Sequence, residues 1–150
     1  MGTGPSLWDA SRVLVRGALI LIAAAAVVFG ATRLHDVRAC NSAKDRGFAA
    51  ALGHPVAGGA QQLARDVADH CRGGADLSAT GVALARGGNL GPAVQLAHEA
   101  IRRDPRDYQG WVALAIVLQH EGHPLAQRAA ARRAVALNPR YAAAQQLAQP

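Results

Sequence analysis

The sequence predicts an all-α protein, with an N-terminal transmembrane helix followed by a short array of helical hairpins. Three observations predict it. The stretch Gly17 to Thr32, "GALILIAAAAVVFGAT", carries no charge. Beyond it the chain is rich in Ala, free of β-branched runs, and interrupted by Gly and Pro at intervals that leave segments of about 11–15 residues, the usual helix length. Finally, "HEAIRRDP" closes at Pro105, and a near-copy of it, "RRAVALNP", closes at Pro139.

The N-terminal segment sets the first boundary. Extended back over "VLVR", the apolar run covers 13–32, about 20 residues and enough to cross a hydrocarbon core of about 30 Å. Arg16 lies one turn inside its N-terminal end, where a guanidinium can snorkel to the headgroups. A cleaved signal peptide is a competing reading, although the run is long for one. A buried core helix is another, and it would need a large protein around it. Residues 1–12 contain "MGTGPS" and read as a disordered tail, with Trp8 suited to a membrane interface. Arg12 and Arg16 against Asp9 on one flank nearly balance Arg33 and Arg38 against Asp36 on the other. The positive-inside count therefore leaves orientation open.

Sliding the chain on itself by the distance from Pro105 to Pro139 pairs Leu77 with Trp111, Ala79 with Ala113, Gly81 with Ala115 and Leu84 with Leu118. The same shift pairs Gly88 with Gly122, Ala97 with Ala131 and Ala100 with Ala134. Small residues recur where two helices would cross closely, and large apolar ones recur where a core needs filling. "WVALAIVL" (111–118) and "GHPLAQRAAARRAVALNP" (122–139) resemble the tetratricopeptide repeat, a helical hairpin whose period matches this shift. In the first copy "AVQLAHEAIRRDP" (93–105) matches well, while "LSATGVAL" (77–84) places Thr80 where Leu is usual. In the second copy Gln127 stands where Ala93 stands in the first.

The resemblance covers 74–141 as two repeats. It implies a short right-handed α-solenoid of tetratricopeptide-like hairpins. Residues 33–73 then read as a degenerate hairpin, with helices over "VRACNSAKDRGFAAAL" and "PVAGGAQQLARDVADHC". Residues 142–150 read as a C-terminal capping helix after Tyr141. Asp76 and Asn89 are candidate N-caps.

In that hairpin Cys40 opens the first helix and Cys71 closes the second, so both fall at one edge within disulfide reach. A Cys40–Cys71 bond would place the domain outside the cytoplasm. The alternatives are two unrelated buried thiols, or zinc held by Cys40, Cys71 and His70, although adjacent ligands rarely converge on one ion. "HEGH" (120–123) lacks the two-residue spacing of a zinc protease helix. His120 and His123 therefore read as solvated turn residues. No nucleophile triad or phosphate loop stands out, and no cofactor is expected.

Sixteen basic residues against ten acidic ones give +6. Fifteen of the sixteen are Arg, a bias consistent with a GC-rich genome rather than a function. A basic domain at a bilayer can touch anionic headgroups. Aromatic residues make up only 4% of the chain, which argues against single-stranded nucleic acid. The clusters Arg102, Arg103, Arg106 and Arg128, Arg132, Arg133 read as solvated faces near helix ends.

The resemblance implies a concave surface lined by the first helix of each unit. Its candidate partner-binding residues are Ser78, Val82, Ala85, Arg86, Gln109, Val112, Ala113, Ile116 and His120. They make a mostly apolar groove for an apolar segment or helix of another protein, unless the C-terminal helix covers part of it. The surface lacks the Lys and Asn set with which chaperone-binding members of that family hold a terminal carboxylate. The expected function is a non-catalytic, membrane-anchored interaction or scaffold module for an envelope protein complex. A cytoplasmic-facing accessory or regulatory subunit is the alternative. A small metal-dependent enzyme using His70, Cys71, His120 or His123 is a third reading.

Overall fold

The computed structural model describes residues 7–149, with side chains from Arg16 onward. Among these residues there are seven helices and no strand. They are α1 (Leu7–Ala51), α2 (Ala60–His70), α3 (Gly74–Arg86), α4 (Leu90–Arg103), α5 (Tyr108–His120), α6 (Pro124–Leu137) and α7 (Ala142–Leu147). The chain divides at Asp36 into two units.

In the first unit α1 is apolar on all sides. Leu19, Ile20, Leu21, Ile22, Val27, Val28 and Phe29 are each at least 60% exposed. A helix with this apolarity near the N-terminus is long enough to span a membrane, and a signal sequence has the same properties. Residues 1–6 of the expected disordered tail lie outside the described residues, as does the side chain of Trp8. Residues 7–12 are helical rather than disordered. No helix break separates residue 32 from residue 33 either. The physical reason is the same at both places: from Leu7 to Ala51 there is no Pro, and Gly occurs only singly.

The second unit is built from the C-terminal part of α1 and the six helices after it. Helix α2 begins at Ala60, not at Pro55, because Gly58 and Gly59 both take left-handed backbone angles (φ 79° and 85°) that a right-handed helix cannot contain. Ala43, Ala50, Leu63, Ala64 and Val67 form a core with Leu77, Leu84, Leu96 and Ala100. Helix α3 packs on α4, and α5 on both α3 and α6.

Small residues set the crossings. A Cβ on Gly81 would lie 3.3 Å from the Ala93 carbonyl oxygen, so α3 meets α4 almost backbone to backbone. Ala115 and Ala131 are fully buried in the cluster that α5 and α6 share. Gly88 and Gly122, at equivalent places in the two copies, both adopt φ 77°. In each turn the next residue's N–H reaches back, Asn89 to the Leu84 carbonyl and His123 to the Leu118 carbonyl, both at 2.9 Å. The Trp111 indole donates to the Pro105 carbonyl at 3.1 Å. One repeat further on, the Gln145 amide donates to the Pro139 carbonyl at 2.7 Å.

The caps differ from those expected. Asn89 occupies the N-cap position of α4, but its side chain donates to the Gly87 carbonyl and caps nothing. Asp76 lies within α3, whose N-cap is Gly73. Asp107 is the side-chain cap of α5, accepting from the Gln109 N–H at 3.0 Å. Thr80, the odd residue of the first copy, is fully buried, and its hydroxyl donates to the Asp76 carbonyl. Its methyl lies against Gly47 of α1, where a Cβ would come within 2.6 Å of it. A leucine at position 80 would not fit there. Gln127 donates to the Leu147 carbonyl at 3.2 Å, tying α6 to α7.

Candidate functional site

Three helices of the second unit run in the same direction. Along α1 and α3, Lys44 meets Asp76, Gly47 meets Thr80, and Ala50 lies beside Gly87. Between α3 and α5, a Cβ added to Gly74 would lie 3.6 Å from the Asp107 carboxylate, so their N-termini share one end. A cavity of about 510 Å³ opens along this side. Helix α3 lines it with Ala75, Ser78, Ala79, Val82, Ala83 and Arg86, a single face at helical spacing. Helix α5 contributes Tyr108, Gln109, Val112, Ala113 and Ile116, and α1 contributes Phe48 and Ala51. Tyr141 closes one end, its ring 5.0 Å from that of Tyr108.

Val82, Arg86, Gln109, Val112 and Ile116 are thus brought to one surface. His120 is exposed but does not line the cavity. It lies in the last turn of α5, whereas the six-residue α7 begins near the Tyr108 end and is too short to wall that turn. Ala85 is buried in the core and Ser78 is 4% exposed, its hydroxyl donating to the Gly74 carbonyl. Val112 is also buried, packed with Ala134 and with Ala144 of α7. The C-terminal helix therefore covers part of the α5 surface but leaves Val82 and Ile116 half-exposed. Sequence reasoning missed Phe48, Tyr108 and Tyr141. The residue spacing of Phe48 gave a signal, since it lies one helical face away from the buried Ala43, Gly47 and Ala50.

Cys40 and Cys71 meet with sulfurs at disulfide distance, 2.07 Å, and Cα atoms 4.9 Å apart. Both are buried. Asp76 comes within 4.0 Å of the Cys40 sulfur, and it is Asp76, not His70, that joins the two cysteines as a potential metal-ligand group. The bonded sulfurs offer no thiolate, and the Asp76 carboxylate accepts from Lys44 at 2.7 Å, so the set does not fit a zinc ion in this form. His120 and His123 are both exposed and do not join it.

Arg103 corrects the reading of a plain solvated face. Its guanidinium donates to the Ala68 and Cys71 carbonyls at the end of α2 and to Glu99, clasping α4 onto α2. Burial pushes the Glu99 carboxyl up, but the hydrogen bonds from Arg102 and Arg103 outweigh it and hold it below the ordinary 4.5. Asp66 is lowered by its hydrogen bonds from Arg46 and Gln62. Arg103→Met is expected to cost about 2 kcal/mol of stability at neutral pH, the scale of charge-assisted hydrogen bonds. Glu99 has its folded pKa depressed, so its contribution is present above 4.5 and is lost as pH falls through the lower folded value. The gap between wild type and variant should narrow below that point. Urea titrations at neutral and acid pH check this, and a gap that is constant with pH would remove Glu99 from the account.

No protein-family model, no curated protein and no solved structure matches this chain.

Proposed function

We propose that this chain is a membrane-anchored interaction module. Its tetratricopeptide-like helical pairs hold an apolar segment of another protein and carry out no catalytic step. The observation that carries the reading is the cavity of about 510 Å³, whose floor of Val82, Val112, Ile116 and Ala residues is presented by the parallel helices α1, α3 and α5. Arg86, Tyr108 and Tyr141 are its only ionisable lining residues among those described, which favours binding over chemistry. The recurrence of turn, crossing and Pro-carbonyl bond at one spacing supports the repeat reading.

A photo-crosslinking residue placed at Val82 or Ile116 is expected to give, in cells, an adduct of defined mass that the same probe at Arg132 does not give. Arg132 lies on the exposed face of α6. Equal labelling from all three positions, or none, would overturn the groove. Val112 is unsuitable for such a test, because it is part of the packing under α7.

The paired cysteines support a domain outside the cytoplasm, where disulfides persist. The apolar exposure of α1 supports an anchor. Labelling of intact cells with a membrane-impermeant maleimide should succeed only after an impermeant reductant. Thiols that react without reduction, and only after lysis, would instead put the domain in the cytoplasm as an accessory subunit.

A further inference from the structure

Arg86 is the one cation lining the cavity among the described residues, and no acidic side chain among them lines it. It is exposed and makes no ion pair or hydrogen bond among the described residues. A cation in the last turn of α3 complements the helix dipole. That accounts for a basic residue near the helix end, but not for its place on the lining face, in register with Ala75, Ser78, Ala79 and Val82. One end of the cavity is therefore an unneutralised positive charge, the middle is aliphatic, and the other end is the Tyr108–Tyr141 pair.

From Ala75 to Arg86 the lining face of α3 extends about 16 Å at 1.5 Å per residue, the length of three helical turns. Phe48, 47% exposed, stands at the rim as an aromatic contact. A charge left unpaired beside an apolar floor selects against a cationic occupant and favours a carboxylate, because charge complementarity across a contact decides which partner is rejected. Resting on the binding reading above, we propose that the occupant is a three-turn amphipathic helix of a partner protein. Its aliphatic residues sit on the half-exposed Val82 and Ile116, and an Asp or Glu about one turn away pairs with Arg86.

The test is selection of a displayed library of random dodecapeptides on the full chain in a lipid nanodisc, with empty nanodiscs and the Ile116→Asp chain as controls. The expected result is enrichment of peptides with helical apolar spacing and an acidic residue at one end. In a selected peptide, replacing that acid by Lys should weaken binding at least tenfold. The Arg86→Glu chain should reverse the preference while keeping its circular dichroism. Apolar peptides without acidic enrichment, or an unchanged preference in Arg86→Glu, would overturn the pairing and leave the groove standing. No enrichment over Ile116→Asp would overturn the groove and the pairing together. If oleate then bound in an Arg86-dependent manner, the cavity would be that of a small anionic amphiphile.

Discussion

Replacing Cys40 and Cys71 together by alanine is expected to lower the stability of the helical domain by about 3–4 kcal/mol, the magnitude that chain-entropy arguments give for a loop of this size. The bond closes a loop with a sequence separation of 31. The domain has little with which to compensate there. Of the buried residues that α1 and α2 contribute, only Leu63 and Val67 are larger than alanine or cysteine. The ion pairs that tie α1 to its neighbours include Arg46–Asp66 at 2.8 Å and Lys44–Asp76 at 2.7 Å, both partly solvated and worth little individually. Urea titration of the wild type, with and without reductant, and of the double variant should give one lowered midpoint for both reduced and variant proteins. A loss under about 1 kcal/mol, well short of the entropic value, would mean that α1 is held on α2 and α3 without the staple.

Gly47→Ala is expected to destabilise by about 1–3 kcal/mol, the cost of overpacking a tight contact. On helix propensity alone the change should stabilise by about 0.5–1 kcal/mol. The sign reverses because the added Cβ would lie 2.6 Å from the Thr80 methyl. Thr80 cannot easily turn away, since its hydroxyl is held on the Asp76 carbonyl at 2.9 Å and it is completely buried. Thr80→Ser keeps the hydroxyl and removes the methyl. In that background Gly47→Ala should become neutral or stabilising, and the coupling measured by the double-mutant cycle should exceed about 1 kcal/mol. Additive single effects would show that the two residues do not meet.

Several features were legible in the chain. The helical class and the long apolar N-terminal helix follow from composition and from the absence of Pro over 7–51. The cysteine pairing follows from placing two residues at the ends of neighbouring helices. What was not legible depended on which distant groups meet. Arg103 reads as one more surface arginine until α4 is laid beside the end of α2, where two carbonyls need a donor. Asp76 reads as a cap because acids favour helix starts, but it is drawn to Lys44 instead. The second helix of the degenerate hairpin reads as starting at Pro55. Two consecutive left-handed glycines after it delay α2 to Ala60. In the candidate site, the aliphatic lining followed helical spacing. The tyrosines that close one end come together only because α7 folds back onto α5.

Helix α7 has a consequence for solution behaviour. The apolar residues it meets, Val112, Ala134 and Val135, belong to a surface that another pair of helices could also cover. A chain whose last unit presents such a face can join head to tail with the next copy, without symmetry to close the assembly. In this structure the six residues of α7, held by two side-chain amides, occupy that face. Gln127 binds the end of α7 and Gln145 anchors its start, so the face is covered from within. The exposed side that remains carries the polar side chains of Gln145, Gln146 and Gln149. The short helix thus takes up, within one chain, apolar surface that α5 and α6 would otherwise offer to a neighbouring molecule.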